Sequence, residues 1–222
     1  MANKEAFKQI VEELNGKSAQ LVAVSKTKPL EAIESIYEQG QRIFGENKVQ
    51  EMVDKYNQLP KDIQWHMIGH LQSNKVKYIA PFVDLIHSVD SLKLLQVINK
   101  EAAKNKRVIK CLLQLHVAEE ETKFGLDVEE LGFLLESESF KSMQNIEIVG
   151  LMAMATFTPD QTQIRNEFCS LKKMFLRLKE VYFKTQDSFK EISMGMSSDY
   201  KIALEEGSTM VRIGSTIFGH RS

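Results

Sequence analysis

Cysteine is scarce in this sequence, with Cys111 and Cys169 the only two among 222 residues. That excludes a disulfide framework, and without a CxxC pair it also argues against dithiol redox chemistry and a cysteine zinc site. The chain reads as a reduced, cytoplasmic protein. An excess of charge is missing too: 29 basic and 30 acidic residues leave a net charge of -1, so no global field draws the chain to nucleic acid or to an acidic membrane. No apolar run reaches the length of a membrane span. The first fifteen residues mix Lys4, Glu5, Lys8, Glu12 and Glu13 with apolar residues at helical spacing, where a secretion signal would carry an apolar core. These absences leave a small-molecule ligand as the simplest expectation; the chain is expected to be a monomer.

What is present is a regular alternation. Hydrophobic residues make up 43% of the chain, enough for one sizeable core, and the alternation continues from residue 20 to residue 218 without a linker-like break, so one domain over residues 1–222 is expected. A helix over residues 4–14 leads into Leu21-Val22-Ala23-Val24-Ser25, a continuous apolar run of the kind buried on both faces of a parallel sheet. Pro29 is placed to open a helix over 30–39, which Gly40 ends. Further strands are expected at 42–44, 64–68, 83–88, 108–117, 146–152, 191–194 and 210–213. A long helix from residue 160 to about 183 sets Ile164, Phe168, Leu171, Phe175, Leu178 and Tyr182 on one stripe. Eight βα units favour a single α/β (β/α)8 TIM barrel over an open doubly wound sheet.

In such a barrel, chemistry belongs at the C-terminal ends of the strands, and phosphate is often held by the loops after strands seven and eight. The segments there are Ser193-Met194-Gly195-Met196-Ser197-Ser198-Asp199 and Arg212-Ile213-Gly214-Ser215-Thr216. Gly195 and Gly214 would let backbone N–H groups approach an anion, Ser197 and Ser215 would add hydroxyl donors, and each loop opens a helix whose N-terminus favours negative charge. Lys26 ends the first strand, where partial desolvation lowers an amine's pKa and makes it nucleophilic. An amine beside a phosphate cradle suits a Schiff-base cofactor or a Schiff-base aldolase. Lys28 would share the face of Lys26 in an extended chain, so spacing alone does not select between them.

Five motifs go further: Ala23-Val24-Ser25-Lys26-Thr27-Lys28-Pro29, Phe44-Gly45-Glu46-Asn47, Ile68-Gly69-His70-Leu71-Gln72-Ser73-Asn74-Lys75, Ser193-Met194-Gly195-Met196-Ser197 and Met210-Val211-Arg212-Ile213-Gly214-Ser215. In this order, over essentially the whole chain, they resemble the YggS/PROSC family of pyridoxal phosphate homeostasis proteins. The resemblance implies a fold type III barrel similar to the N-terminal domain of alanine racemases, with pyridoxal 5′-phosphate as cofactor and Lys26 as its Schiff-base lysine. It further implies that Ser197, Gly214 and Ser215 hold the phosphate with backbone from Met196, that Arg212 lies beside the pyridine nitrogen, and that Asn47 and Met152 line the ring pocket. His116 departs from the pattern, since relatives more often carry Asn there.

An arginine at the pyridine nitrogen leaves that nitrogen neutral, which weakens the ring as an electron sink. Racemisation also needs a second acid/base group on the opposite ring face. Alanine racemases take it from a tyrosine of an extra β domain, whereas this sequence ends a few residues after strand eight and places its five tyrosines mostly in helices. The expected function is therefore intracellular pyridoxal phosphate homeostasis, with the cofactor held as a Schiff base without catalytic turnover and passed on, apo-forms of pyridoxal phosphate enzymes being possible recipients. A pyridoxal phosphate-dependent amino-acid racemase is the alternative. His66 and His70 are four apart, but Ile68-Gly69 breaks any helix between them, so no metal is expected. His70 is expected to line the mouth with Gln72 and Asn74 or to cap the next helix. Lys75, Lys77 and Tyr78 read as a solvated helix face. Lys123 reads as a solvated loop lysine beside the acidic Glu119, Glu120 and Glu121.

Overall fold

The computed structural model describes residues 2–118 and 124–219. Eight strands, β1 (Gln20–Val24), β2 (Ile43–Glu46), β3 (Gln64–Met67), β4 (Leu85–Val89), β5 (Ile109–Gln114), β6 (Ile146–Met152), β7 (Glu191–Met196) and β8 (Met210–Ile213), pair in parallel and in chain order, and β8 closes on β1. The closing register sets Val22 against Arg212. The expected (β/α)8 barrel is therefore the fold.

The helices are α1 (Lys4–Asn15), α2 (Leu30–Tyr37), α3 (Val49–Gln58), α4 (Val76–Ile79), α5 (Leu92–Lys104), α6 (Val128–Glu136), α7 (Glu138–Lys141), α8 (Gln161–Val181), α9 (Tyr200–Glu205) and α10 (Ser215–Phe218). Among the described residues no helix is long and apolar enough to cross a membrane. Caps set many of the boundaries. Asn3, Ser91 and Asp160 accept backbone N–H groups at the starts of α1, α5 and α8, and Asp127 with Glu130 forms a reciprocal capping box at α6. Pro29 precedes α2 as expected.

Alternation along the strands divides the core in two. Outward residues such as Ala23, Phe44, Trp65, Ile86 and Leu113 pack beneath the helices, and the stripe of Ile164, Phe168, Leu171, Phe175 and Leu178 on α8 joins that layer. Inward residues Val22, Leu85, Leu112, Val149, Met152 and Met210 fill the barrel. Burial at about 25 cal/mol per Å² of apolar surface drives both layers.

Several strand ends differ from expectation because pairing, not composition, decides them. Val83 gives its N–H to Ile79 at the end of α4, so β4 starts later. The ladder of β5 stops at Gln114; beyond it the Leu115 N–H still donates to the Met152 carbonyl at 2.9 Å, and Leu115 forms an isolated bridge to Leu126. The strand β7 continues through Gly195 to Met196, where its register with β8 shifts.

Candidate functional site

The mouth of the barrel is built where β1, β7 and β8 end. Beyond Val24 the chain turns at once: Thr27 takes a positive φ of 63°, and the Lys28 N–H donates to the Ser25 carbonyl at 3.0 Å. The Lys28 amine donates to the Gly219 carbonyl at 3.0 Å, tying the end of β1 to the end of α10. Lys26 and Lys28 both line a cavity of about 430 Å³ with Val24, Thr27, Gly214, Ser215 and Gly219.

A buried ion cluster holds the turn from behind. Lys55 of α3 is almost wholly buried and donates to the Ser25 carbonyl at 2.8 Å, to Glu46 Oε1 at 2.8 Å and to Glu51 Oε1 at 2.6 Å. Ser25 Oγ donates to Glu46 Oε1 at 2.5 Å, and the Thr27 N–H donates to Glu51 Oε1 at 2.5 Å. Burial pushes the Glu46 carboxyl above the usual range, against the opposing pull of Lys55. Glu46, quoted above only as part of a motif, is thus an anchor for the segment that carries Lys26.

The loops after β7 and β8 meet. The Gly214 N–H donates to Ser197 Oγ at 3.3 Å. A Cβ on Gly214 would lie 3.0 Å from the Val24 carbonyl oxygen, so glycine allows this loop to lie against the end of β1. Gly195 meets a packing demand that the sequence did not show. Its φ is +92°, and a Cβ there would lie 2.6 Å from the Ala203 Cβ, so it lets α9 pack directly on β7. The helices α9 and α10 have only six and four residues, which leaves little aligned dipole. What this corner offers is individual N–H and O–H groups.

Of the other expected residues, Met196 gives its N–H to Asp199 Oδ1 at 2.5 Å and lines a neighbouring cavity of about 350 Å³ with Asp199. Met152 is fully buried in the barrel interior. Asn47 is half-buried, one residue beyond β2. His116 is half-buried, and its N–H donates to the Leu126 carbonyl. His70 does not cap the next helical turn; its Nδ1 lies 3.2 Å from Asp90 Oδ2 and its ring stacks on Phe124. Glu119, Glu120, Glu121 and Lys123 lie outside the described residues.

Arg212 is buried in the barrel rather than paired at the surface. Its Nη1 donates to the Ser193 carbonyl at 2.8 Å and to Ser193 Oγ at 2.6 Å, and its Nη2 donates to the Ala153 carbonyl at 3.0 Å, just past the end of β6. Burial pushes its pKa down to about 10, partly opposed by Asp199, so it stays charged at neutral pH. Beneath Ser193 lies a group that the motifs did not single out: His87 Nδ1 is 2.9 Å from Ser193 Oγ, and His87 Nε2 is 2.9 Å from His66 Nδ1. Period-two spacing from the inward-facing Leu85 was the available signal for His87.

The profile of the alanine racemase N-terminal domain family matches residues 2–222. A pyridoxal phosphate homeostasis protein of Aquifex aeolicus is 40% identical over 204 residues, covering 91% of this chain and 87% of that protein. The human protein of the same name is 38% identical over 221 residues, covering 90% of this chain and 76% of its own. Among solved structures, PipY of Synechococcus elongatus is 35% identical and covers 97% of this chain and 99% of its own, with a TM-score of 0.89 without PLP and 0.86 with PLP bound. An alanine racemase from Bartonella henselae, solved with covalently bound pyridoxal phosphate, shares the fold at 16% identity and a TM-score of 0.70, over 96% of this chain and 58% of its own.

Proposed function

The chain belongs to the alanine racemase N-terminal domain family, among its pyridoxal phosphate homeostasis proteins, and from that premise we propose that it binds pyridoxal 5′-phosphate reversibly through Lys26 and serves as a carrier of the cofactor. The observation that carries this reading is one cavity shared by Lys26, Gly214 and Ser215, with Ser197 bonded to the Gly214 loop. The donor set fits the group: an amine for the aldehyde, hydroxyl and backbone donors for the phosphate, and a buried guanidinium with donors to spare for the ring nitrogen.

In this reading the cofactor supplies an aldehyde that condenses with the amine as a Schiff base, a bond that other amines can exchange. The protein's residues do the rest. The turn at Thr27 sets Lys26 at the mouth, Ser197, Gly214 and Ser215 take the phosphate, and Met196 joins them if its N–H leaves Asp199. Arg212 faces the pyridine nitrogen and keeps it unprotonated, while Asn47 and Met152 bound the ring. The choice of Lys26 over Lys28 rests on the family resemblance; Lys28 lines the same cavity and donates to the Gly219 carbonyl.

Release without turnover is supported by the positions of the five tyrosines. Tyr37, Tyr182 and Tyr200 bond to Asp62, Glu136 and Glu13, Tyr56 stacks on Phe82, and Tyr78 is half-exposed on α4. None of them lines the cavity. A monomer working in the cytoplasm, with apo-enzymes as recipients, completes the proposal. The test is borohydride reduction in the presence of pyridoxal phosphate, followed by peptide mass mapping. A pyridoxyl adduct on Lys26 is the expected result; an adduct on Lys28, or on no lysine, overturns the assignment.

A further inference from the structure

Arg212, Ser193, His87 and His66 come from four different strands and meet inside the barrel, with exposures of 4%, 0%, 0% and 2%. Four polar groups at such depth need partners, and here each is the partner of the next. Their hydrogens can be assigned by elimination. A guanidinium only donates, so Arg212 Nη1 gives a hydrogen to Ser193 Oγ. Ser193 Oγ keeps a second lone pair, so Arg212 alone does not fix its proton; the carboxylate of Asp84 at the far end, which only accepts, does, and with both imidazoles neutral it leaves Ser193 to donate its hydroxyl proton to His87 Nδ1. His87 carries its own proton on Nε2 and gives it to His66 Nδ1. His66 is protonated on Nε2, which faces Asp84 Oδ2 at 3.6 Å on the barrel floor. The donors all run one way, from a fixed cation near the mouth to a carboxylate at the floor.

Three of the five N–H groups of Arg212 are given to Ser193 and Ala153. The Nε–H and the second hydrogen of Nη2 are left over. We propose that Ser193, His87 and His66 are positioning residues that hold the Arg212 guanidinium from beneath, so that its remaining donors are presented in a fixed direction to the ring nitrogen of pyridoxal phosphate. The inference rests on the cofactor reading above and adds to it the way the ring nitrogen is recognised. A guanidinium on a flexible stem loses rotamer freedom when it binds a ligand. The relay imposes that loss during folding, because turning the guanidinium away would strand the Ser193 hydroxyl and two imidazoles in an apolar interior.

The test compares two aldehydes, pyridoxal phosphate and its carbocyclic analogue, in which the ring nitrogen is replaced by C–H. Both keep the aldehyde and the phosphate, so both read Lys26 and the phosphate loops, while only the first reads Arg212. Adduct formation is titrated by absorbance in wild-type protein, His87→Leu and His66→Leu, with folding followed by circular dichroism. His87→Leu is expected to weaken pyridoxal phosphate binding about tenfold, the scale of one charge-assisted hydrogen bond, while changing the analogue less than about twofold. His66→Leu gives the same selectivity with a smaller loss, and it carries the test if His87→Leu does not fold. Equal losses for both aldehydes, or no loss for either, overturn the relay alone. Wild-type protein that forms an adduct with neither aldehyde overturns the cofactor reading, and the relay with it.

Discussion

At the scale of single residues, two glycines that look alike in the sequence do different work. Gly214 lets its loop lie against the Val24 carbonyl, while Gly195 both adopts a positive φ and leaves space for Ala203. The two demands on Gly195 add, one in backbone conformation and one in packing. Gly195→Ala is therefore expected to destabilise the fold by about 2–4 kcal/mol, measured by urea denaturation. A loss below about 0.5 kcal/mol, the range of neutral surface substitutions, would show that α9 can move aside. The pair of lysines teaches the same lesson. Sequence spacing leaves Lys26 and Lys28 equivalent and both line one cavity; the family resemblance selects Lys26, and what the spacing could not show is the bond from Lys28 to Gly219, 191 positions away in the chain.

At the scale of elements, the strand-to-helix turn after β1 depends on a helix it does not belong to. Lys55 of α3 reaches behind the sheet to Ser25, Glu46 and Glu51. Removing its charge leaves Glu46, at 0% exposure, without a counter-charge and with the Ser25 hydroxyl as its remaining donor, a change that costs about 3–5 kcal/mol in comparable buried pairs. Lys55→Met should show that loss in chemical denaturation, and adding Glu46→Gln should restore a large part of it; a double variant as unstable as the sum of the singles would exclude the pairing as the cause. The sequence displays the elements well where one residue type repeats with a period. The run of residues 21–25, the α8 stripe as far as Leu178 and the eight βα units were all legible, while Tyr182, read as the end of that stripe, lies just past α8 and is exposed. The sequence displays poorly what one element does to another. Nothing in the sequence marks Lys55 as buried, the contact of Gly195 with Ala203 is invisible in it, and β7 reads two residues shorter, because the partner that decides each case lies on a neighbouring strand or helix.

At the scale of the whole molecule, two imidazoles in the barrel interior couple stability to pH. Burial pushes His87 well below the 6.5 of an exposed imidazole, and the neighbouring His66 and Arg212 push the same way. Burial lowers His66 as well, with Lys110 acting in the same sense and Asp84 and Glu191 in the opposite one. Since the folded pKa values lie below the unfolded ones, their contribution to stability is complete above pH 6.5. As the pH falls below that value the unfolded chain takes up protons that the folded barrel refuses, and stability declines until the pH reaches the folded pKa values. The slope is about 1.4 kcal/mol per pH unit for each histidine. Denaturation of wild-type protein and of a His66→Leu/His87→Leu variant at pH 7.5, 6.5 and 5.5 isolates this part from the carboxylates that both share. The expected outcome is a wild type that loses stability faster than the variant on acidification, so that the gap between them narrows below pH 6.5. Parallel curves across that window would mean that the histidines take up protons inside the barrel as readily as in water, a result the one-way donor chain from Arg212 to Asp84 does not permit.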